Sequence, residues 1–428
     1  MHRKRIVILG AGLAGLSAGW HLQRKGIEPV LLEKEAQVGG LCRTKNVGAF
    51  HFDCDGHLLH FKRRDTFGLV KDLLAGNLKK HKRSAWVYAC GRYIPYPFQA
   101  NLHQLPLPVV KECLLGLARA AQDGFHQEGN FRDWIYHHFG KGIARHFMVP
   151  YNTKFWTLPP ERLSCEWLDG FVPLPTLSQM IAGSVEDAPQ EFGYNSTFWY
   201  PEKGGINQLA LALAAGLKNI YTNSEVTEID LRAKKVRISG GESENYDYLI
   251  STLPLPELPR LVKNMPRKMR DLFAKLNWNS ILNVNLGLDK RDGASRHWAY
   301  FPQREHCFFR AGFYHNFSPG CAPPGRGALY AEISYPREET PQKGNILARL
   351  EADLKNTGLL NGSRIIASDI NEIKYGYPIY DLNYSRVREK IIRYLRQGQV
   401  IPCGRYGSWR YFSMEDSILD GKRVAGLF

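Results

Sequence analysis

The chain has 428 residues, and its 57 Lys and Arg residues exceed its 41 Asp and Glu residues, which leaves a formal net charge of +16. Hydrophobic residues make up 44% and charged residues 23%, a balance typical of a globular protein that excludes a disordered chain, a collagen and a coiled coil. No segment approaches the roughly 18 to 20 consecutive apolar residues of a membrane span.

The excess positive charge indicates an anionic partner: a phosphate-bearing ligand, nucleic acid or an anionic membrane surface. Its basic runs, at 62–64 and 79–83, are short and more typical of solvated surface than of a nucleic-acid interface. The eight cysteines show no metal-binding spacing, and no apolar signal segment follows the basic N-terminus. We therefore expect a reduced, cytoplasmic protein without metal or nucleic acid, for which peripheral membrane contact and oligomeric state stay open.

The first elements predict a dinucleotide-binding βαβ unit. An apolar run at 6–9 leads into a glycine turn with Gly10, Gly12 and Gly15, then a helical stretch and a second apolar run ending at Glu33. In such units the first glycine permits a tight turn, the second lets the backbone approach a pyrophosphate, and the third lets helix and strand pack closely. The acidic side chain after the second strand accepts hydrogen bonds from a ribose.

Three later segments resemble the FAD signature of the amine oxidase, protoporphyrinogen oxidase and phytoene desaturase group. The first is the Gly-Gly turn and Arg-Thr pair at 39–44, the second is the hairpin that begins near 225, and the third lies near the C-terminus at 404–421. This resemblance implies bound FAD. The further cofactor-binding residues that it implies are Gly40, Arg43, Val226, Gly404, Asp416 and Ser417.

The fold class implied is α/β, with a Rossmann-type FAD-binding domain of the glutathione-reductase-like kind. This domain is expected to be discontinuous, built from residues 1–60, 195–255 and 376–428. Residues 61–194 are predicted to form a mostly helical insertion, since their apolar residues recur at helical spacing. Residues 256–375 are predicted to form an antiparallel or mixed-sheet substrate domain.

Two segments of the insertion carry polar groups between aromatic residues. The proline-rich stretch 94–101 is unsuited to a helix or an interior strand and carries Tyr96 and Gln99 on an extended loop. The stretch 147–156 combines aromatic rings with Asn152, a set that can stack on a planar base. An aromatic core with a turn explains this second stretch equally well from the residues alone.

Together these segments resemble UDP-galactopyranose mutase, in particular its eukaryotic-type branch. The resemblance runs through Gly56-His57, the Pro-Tyr-Pro-Phe-Gln stretch, 147–156, Tyr300-Phe301-Pro302 and the Gly-Arg-Tyr-Gly-Ser-Trp string at 404–409. It implies a mutase that interconverts the pyranose and furanose forms of a nucleotide sugar. In that family the N5 atom of reduced FAD bonds to the anomeric carbon and displaces the diphosphate.

The same resemblance implies a role for each matching position. His57 would lie beside the flavin, and Asn195 and Arg405 would lie near the sugar and the flavin. Arg83 matches the arginine with which the eukaryotic branch recognises NADPH, a possible reductant. The residues implied to hold the base are Tyr96, Gln99, Phe147, Asn152 and Trp156. The residues implied to contact the diphosphate are Tyr300, Arg310, Tyr377 and Tyr411.

The sequence around Arg310 also indicates, without the resemblance, that this residue binds an anion. It lies in an apolar stretch, 307–314, that is typical of a strand, where a guanidinium requires an anionic partner. A phosphate would satisfy this requirement, and so would a buried carboxylate. His57 can equally be a loop histidine bonded to backbone, and Tyr411 can equally be a core residue.

The match fails at two positions. A diphosphate-binding arginine of the family aligns with Phe171, and a diphosphate-contacting tyrosine aligns with Phe317. Either a nearby base such as Lys154 or Arg162 substitutes, or the substrate differs. The alternative function is therefore an FAD-dependent oxidase or desaturase of the protoporphyrinogen or amine oxidase type, with hydride transfer to the flavin. An FAD-bound protein without turnover is a third possibility.

Overall fold

A computed structural model describes residues 4–122, 129–168, 170–187, 193, 196–291, 294–339 and 343–428. The strands are β1 (Ile6–Leu9), β2 (Val30–Leu32), β3 (Thr44–Val47), β4 (Phe50–Asp53), β5 (Lys79–Lys82), β6 (Ala85–Ala89), β7 (Arg92–Pro95), β8 (Thr197–Tyr200), β9 (Ile220–Tyr221), β10 (Val226–Asp230), β11 (Lys235–Ile238), β12 (Ser243–Asn245), β13 (Tyr248–Ser251), β14 (Trp278–Leu288), β15 (Trp298–Tyr300), β16 (Arg310–Phe313), β17 (Gly327–Pro336), β18 (Ile365–Pro378) and β19 (Val400–Pro402). The helices are α1 (Leu13–Arg24), α2 (Arg64–Leu73), α3 (Leu107–Gln122), α4 (Phe131–Ile143), α5 (Val149–Trp156), α6 (Leu177–Ala182), α7 (Asn207–Ala215), α8 (Leu258–Leu261), α9 (Arg267–Phe273), α10 (Lys343–Asn356), α11 (Tyr384–Gln397), α12 (Gly404–Gly407) and α13 (Met414–Ala425).

A five-stranded parallel sheet forms the nucleotide-binding half, in the order β19-β13-β1-β2-β9. All four residues of β1 are buried, as expected of a strand covered on both faces. The chain turns at Gly10, whose amide donates to the Leu32 carbonyl at 2.8 Å and thereby holds the turn against β2. The strands come from the N-terminal, middle and C-terminal parts of the chain, so distant segments meet in one sheet.

Helices α1 and α13 pack against each other beside this sheet. Gly421 makes the contact possible, because a Cβ there would lie 2.7 Å from the Ala14 carbonyl oxygen and from the Ala18 amide nitrogen. Helix α13 begins with a capping box, in which the Ser413 hydroxyl accepts from the Asp416 amide. The C-terminal helix α13 therefore completes the nucleotide-binding half that begins with β1 and α1.

The second layer is a seven-stranded sheet in the order β18-β14-β17-β16-β15-β6-β7. Its pairs are antiparallel except for β15 with β6, and ten of the eleven residues of β14 are buried. Strands β6 and β7 come from the segment expected to be mostly helical. Pro95 ends β7 at the edge of the sheet, the position where a proline costs no ladder hydrogen bond.

The helical part of the insertion covers one end of this sheet. Helices α3 and α4 pack together, and α4 continues through a π-helical turn at Ala144–Met148 into α5. The stretch 147–156 is therefore helical. None of the helices in the described ranges is long and apolar enough to cross a membrane.

Candidate active site

A cavity of about 760 Å³ lies at the carboxyl ends of the parallel strands. Gly10, Glu33, Thr252 and Cys403 each follow such a strand and line it, and the helical insertion and seven-stranded sheet supply the other walls. In doubly wound α/β folds ligands bind at this edge of the sheet. The sequence-predicted residues that line this chamber are Gly10, Gly12, Glu33, Gly40, Arg43, His57, Tyr96, Gln99, Phe147, Asn152, Val226, Tyr300, Arg310, Tyr377, Gly404, Arg405, Tyr411 and Ser417.

Four predicted site residues lie away from this lining or outside the description. Gly15 lies beneath the turn, where a Cβ would stand 2.0 Å from the Gly10 carbonyl oxygen, which fits its expected packing role. Trp156 is fully buried among the rings of Phe155 and Trp167. Asp416 caps α13, and Asn195 lies outside the described residues.

The nucleotide end of the chamber is built from closely approaching backbone. Gly40, at a φ of +59°, lies so near Gly12 that a Cβ would stand 3.2 Å from the Gly12 Cα atom. The Glu33 carboxylate accepts from the Ala11 amide at 2.8 Å, and the Arg43 Nε atom donates to the Gly40 carbonyl at 2.8 Å. This cradle leaves room for a pyrophosphate beside the N-terminus of α1, so the residues present fit a dinucleotide such as FAD.

His57 lines the chamber with a buried Nδ1 atom. We call the part of the chamber lined by His57, Arg310, Arg405 and the aromatic rings the inner chamber. The His57 Nδ1 atom has no hydrogen-bond partner among the described residues, although its backbone amide donates to the Asp55 carbonyl at 2.8 Å. Burial lowers the pKa of His57 to about 4, and the positive charge of Arg405 adds to this effect. His57 is therefore a neutral imidazole at pH 7, with one nitrogen available to a ligand.

Arg405 brings a positive charge to the inner chamber, where the carboxylate of Asp55, in the same lining, attracts it. Its guanidinium carbon lies 4.5 Å from the Tyr377 ring centre and 5.2 Å from that of Tyr411, which are cation–π distances. Its Nε atom is buried without a hydrogen-bond partner, and it forms no ion pair within the described parts of the chain. A guanidinium in this setting is suited to bind an anion from the chamber.

Arg310 lies in the same chamber but already has an anionic partner. Its Nε and Nη2 atoms donate to the two carboxylate oxygens of Glu332, with the Nη2 contact at 2.6 Å. Glu332 is fully buried, and burial raises the pKa of its carboxyl while the guanidinium opposes that rise. The buried arginine–carboxylate pair that the sequence left open as an alternative is therefore present, and Arg310 reaches the chamber with much of its charge balanced.

Aromatic rings one helical turn apart form a wall of the chamber. Phe147, Tyr151 and Phe155 stack in succession along the π-turn and α5, with ring centres 5.4 and 6.1 Å apart. Gln99 also lines the chamber, in a 3-10 turn (Phe98–Ala100) rather than on the extended loop expected, and its Nε2 atom donates to the Pro173 carbonyl at 2.8 Å. Its buried Oε1 atom has no partner among the described residues, so it can accept from a ligand.

Phe171, which aligns with an arginine of the mutases, places its ring in the chamber wall. Phe171 lines the cavity and packs edge-on against Tyr411, with ring centres 4.7 Å apart. Neither proposed substitute reaches it, because Lys154 donates to the Phe301 and Gln303 carbonyls, and Arg162 is exposed away from the lining. Lys154 and Arg162 therefore do not take the place of the missing arginine, whereas the Lys62 ammonium lies 5.4 Å from the centre of the Phe171 ring.

Two further positions named by the resemblance lie outside the chamber lining. Phe317 is 1% exposed and lies outside the chamber, against Phe198 and Tyr200. Arg83 is buried with its guanidinium 4.9 Å from the ring centre of Tyr96, which itself lines the chamber. The Tyr96 ring therefore lies between the Arg83 guanidinium and the chamber.

Sequence reasoning missed two carboxylates at the site. Glu332 pairs with Arg310 through a strand register, Arg310 opposite Glu332 in β16 and β17, which no short motif reveals. Asp55 lines the chamber two residues before His57 and accepts from the Gly56 amide at 2.8 Å. An acidic residue within an apolar strand was the one available signal for Glu332, since such a residue requires a partner.

Comparison with known proteins identifies the class to which this fold and chamber belong. The family model of flavin-containing amine oxidoreductases matches residues 13–427, so the chain belongs to that family of flavoproteins. Among solved structures, reduced UDP-galactopyranose mutase is similar over 99% of this chain and 96% of its own, with 30% identity and a TM-score of 0.94. The predicted α/β FAD-binding fold and the predicted likeness to that mutase are confirmed.

Other similarities are more distant or shorter. A putative protoporphyrinogen oxidase from Exiguobacterium shares the fold, with a TM-score of 0.77 and 15% identity over 100% of this chain and 99% of its own. An inactive all-trans-retinol 13,14-reductase of Danio rerio is 41% identical over 49 residues, 11% of this chain and 8% of its own length. An L-amino-acid oxidase of Crotalus adamanteus is 33% identical over 87 residues, 20% and 17% of the two lengths. These curated relatives are thus matched over less than a fifth of their length.

Proposed function

We propose that this protein is an FAD-dependent mutase that interconverts pyranose and furanose forms of a nucleotide-diphosphate sugar resembling UDP-galactose. The observation that carries the proposal is the inner chamber, where the Arg405 guanidinium lies within reach of Tyr377 and Tyr411 without a carboxylate of its own. A guanidinium without a direct ion pair, whose buried Nε atom has no hydrogen-bond partner, can pair with an anion in the chamber. The similarity to the mutase over nearly the whole of both chains supports this interpretation.

The cofactor would lie with its pyrophosphate at the glycine cradle and its ring near His57. Flavin, bound in its reduced form, would supply a nucleophilic N5 atom for displacement of the diphosphate at the anomeric carbon. The neutral His57 imidazole would exchange a hydrogen bond with the flavin through its Nδ1 atom. NADPH is proposed as the reductant, with Arg83 as its contact.

The substrate would extend from the flavin ring to the aromatic wall. Arg405 and the tyrosines around it would hold the diphosphate, with the remaining N–H groups of Arg310 in support. Phe147 and Asn152 would contact the base, and the Gln99 Oε1 atom would accept from a hydroxyl or amide of the ligand. The aromatic wall would shield the reacting carbon from water on its side of the chamber.

A trapping experiment tests the proposal. The purified protein is reduced with dithionite and mixed with nucleotide sugars and cyanoborohydride, and the released flavin is then weighed by mass spectrometry. We expect a flavin heavier by one sugar, and the added mass identifies the sugar class. Arg405→Met is expected to retain flavin and to lose trapping, whereas Arg162→Met, at an exposed position away from the lining, is expected to trap like the wild type.

Unmodified flavin, alongside a known mutase that traps normally, would contradict the mutase and favour the second candidate, an FAD-dependent oxidase or desaturase. Two observations favour that alternative. Phe171 presents an apolar ring where the mutases have an arginine, and Glu332 balances the charge of Arg310. Both features suit a substrate with less negative charge than a diphosphate.

A further inference from the structure

A cluster of exposed aliphatic side chains lies beside the chamber, on and around the short helix α6. Its members, here called the apolar patch, are Leu174, Leu177, Ile181 and Val185, whose exposed fractions are 54%, 41%, 47% and 79%. Leu177 and Ile181 are four residues apart in one helix and therefore share a face. Met180, on the other side of α6, is buried, so the helix is anchored by one face and presents the other to solvent.

The apolar patch continues a wall of the chamber. Phe171, Val172 and Pro173 line the cavity, and the next residue along the chain is Leu174. Helix α6 is itself held against the chamber wall, because a Cβ on Gly183 would lie 2.0 Å from the Ala100 carbonyl oxygen. The chain therefore runs directly from the chamber wall into the apolar patch.

Basic side chains border the apolar patch. The Lys62 ammonium lies 5.4 Å from the centre of the Phe171 ring, and the exposed residues Arg63 and Arg64 follow it. We call these three residues the basic flank. The nearby acid Asp65 is engaged by Arg63 at 3.0 Å and by Lys422 at 3.1 Å.

Acidic residues occur at the far end of the patch. Glu186 and Asp187 follow Val185, and the Asp187 carboxylate lies 3.1 Å from the His103 imidazole. The Arg92 guanidinium is near this end as well, since it donates at 3.0 Å to the carbonyl of Gln104, whose side chain contacts Asp187. The excess of positive charge therefore lies at the chamber end of the patch.

We propose that the apolar patch and the basic flank dock this protein on an anionic membrane surface. Exposed aliphatic residues that enter the interface, together with adjacent lysine and arginine that approach anionic headgroups, are the combination that peripheral proteins use to bind membranes. The formal net charge of +16 would also attract the whole protein to anionic lipid. A second copy of the chain is the less favoured occupant, because it would bring a further +16 to the contact.

This inference does not depend on the proposed reaction. Docking would bring the patch, and with it the adjoining chamber wall, against the lipid, but the adhesion itself requires only the patch and the flank. Vesicle binding therefore tests the inference whether or not a flavin–sugar product is ever trapped.

The experiment is co-sedimentation of the flavin-loaded full chain with vesicles of phosphatidylcholine alone and of phosphatidylcholine with 30% phosphatidylglycerol. We expect binding to the anionic vesicles that weakens as salt is raised, and much weaker binding to the neutral ones. Leu177→Glu with Ile181→Glu is expected to weaken binding at least about tenfold, because it removes apolar contact and adds charge that anionic lipid repels.

A matched control carries the same two changes elsewhere. Leu211→Glu with Ile366→Glu alters side chains that are 47% and 50% exposed and lie outside the patch, and it should bind vesicles within about twofold of wild type. Retained flavin absorbance establishes that both variants are folded.

Three outcomes would overturn the inference. The first is a wild type that sediments with neither type of vesicle, and the second is equal loss of binding in the patch variant and its control. The third is a dimer in sedimentation velocity that the patch variant dissociates without any vesicle binding, since the patch would then be an interface between copies.

Discussion

At the scale of single residues, the two arginines of the chamber differ in their partners. Arg405 lies among tyrosine rings without an ion pair in the described structure, whereas Arg310 is held by both oxygens of Glu332. Phe171 adds no charge at all. Of these two arginines, Arg405 therefore has its charge more available to a diphosphate.

Restoring a second cation is expected to tighten diphosphate binding. Phe171→Arg places a guanidinium beside Tyr411, and one charge-assisted hydrogen bond contributes about 1.5 to 3 kcal/mol. We therefore expect UDP to bind about ten- to a hundredfold more tightly by isothermal titration calorimetry. Phe171→Leu is the control for loss of the ring and should show no gain. Equal affinities in both variants would mean that no phosphate approaches this position.

Site residues that belong to a local sequence motif could be predicted from the sequence. Site residues whose partners are set by the pairing of strands could be predicted less well. The glycine turn and Glu33 are contiguous with their strands, so their place at the sheet edge follows from chain order. The pairing of Arg310 with Glu332 follows from the register of two strands, and 22 residues separate the partners. Trp156 is in a stretch that is equally suitable as core or binding surface, and the structure buries it.

At the scale of secondary-structure elements, the contact between α1 and α13 determines whether the cofactor domain can close. Gly421→Ala would place a methyl group 2.7 Å from the Ala14 carbonyl oxygen, which is backbone and cannot move aside cheaply. We expect a loss of about 1 to 3 kcal/mol in the free energy of unfolding, the usual cost of overpacking, and weaker retention of flavin. Urea unfolding followed by flavin fluorescence measures both.

The control for that substitution is another helical glycine. A Cβ on Gly68, in α2, meets nothing within 4 Å, so Gly68→Ala should stabilise the protein by about 0.5 to 1 kcal/mol through helix propensity alone. If Gly421→Ala were as harmless as Gly68→Ala, the two helices would not be held at the distance described here.

Elements formed by local pattern were easier to predict than those formed by distant pairing. Strand β1 and the start of α1 follow from an apolar run and a glycine turn within a few residues. Strands β6 and β7 were not expected in a segment read as mostly helical. Residues of β6 pair with β15, so that Ala85 lies opposite Trp298, and this partner is distant in the sequence.

At the scale of the whole molecule, buried histidines set the response to acid. Burial lowers the pKa values of His57, His60 and His297 to about 4, while burial raises the pKa of Asp53 to about 6. Between pH 6.5 and 4 the unfolded chain binds protons at the three histidines that the folded chain does not, so these groups reduce stability as pH falls. Asp53 acts in the opposite direction between pH 6 and 3.8.

Three further histidines, His21, His81 and His306, also have lowered pKa values, and two further carboxyls, Glu332 and Asp381, have raised ones. Because six such histidines oppose three such carboxyls, we expect the urea midpoint of unfolding to fall from pH 6.5 to pH 4. His60→Gln should make this decline shallower, since the glutamine has no titrating ring and its amide can still donate towards the Thr197 carbonyl, which lies 3.3 Å from the histidine nitrogen. His51→Gln, on the 44–53 hairpin, is the control. A midpoint that stays constant over this range would show that the buried histidines do not govern acid stability.

The meeting of α1 with α13 has a consequence for how the protein is made. Residues 13–24 leave the ribosome early, and residues 414–425 follow about 400 residues later. At a synthesis rate of roughly 5 to 20 residues per second, the first helix waits about 20 to 80 seconds for its partner. The nucleotide cradle therefore cannot close before residues 414–425 have been synthesised, and capture of the cofactor has to wait for that segment.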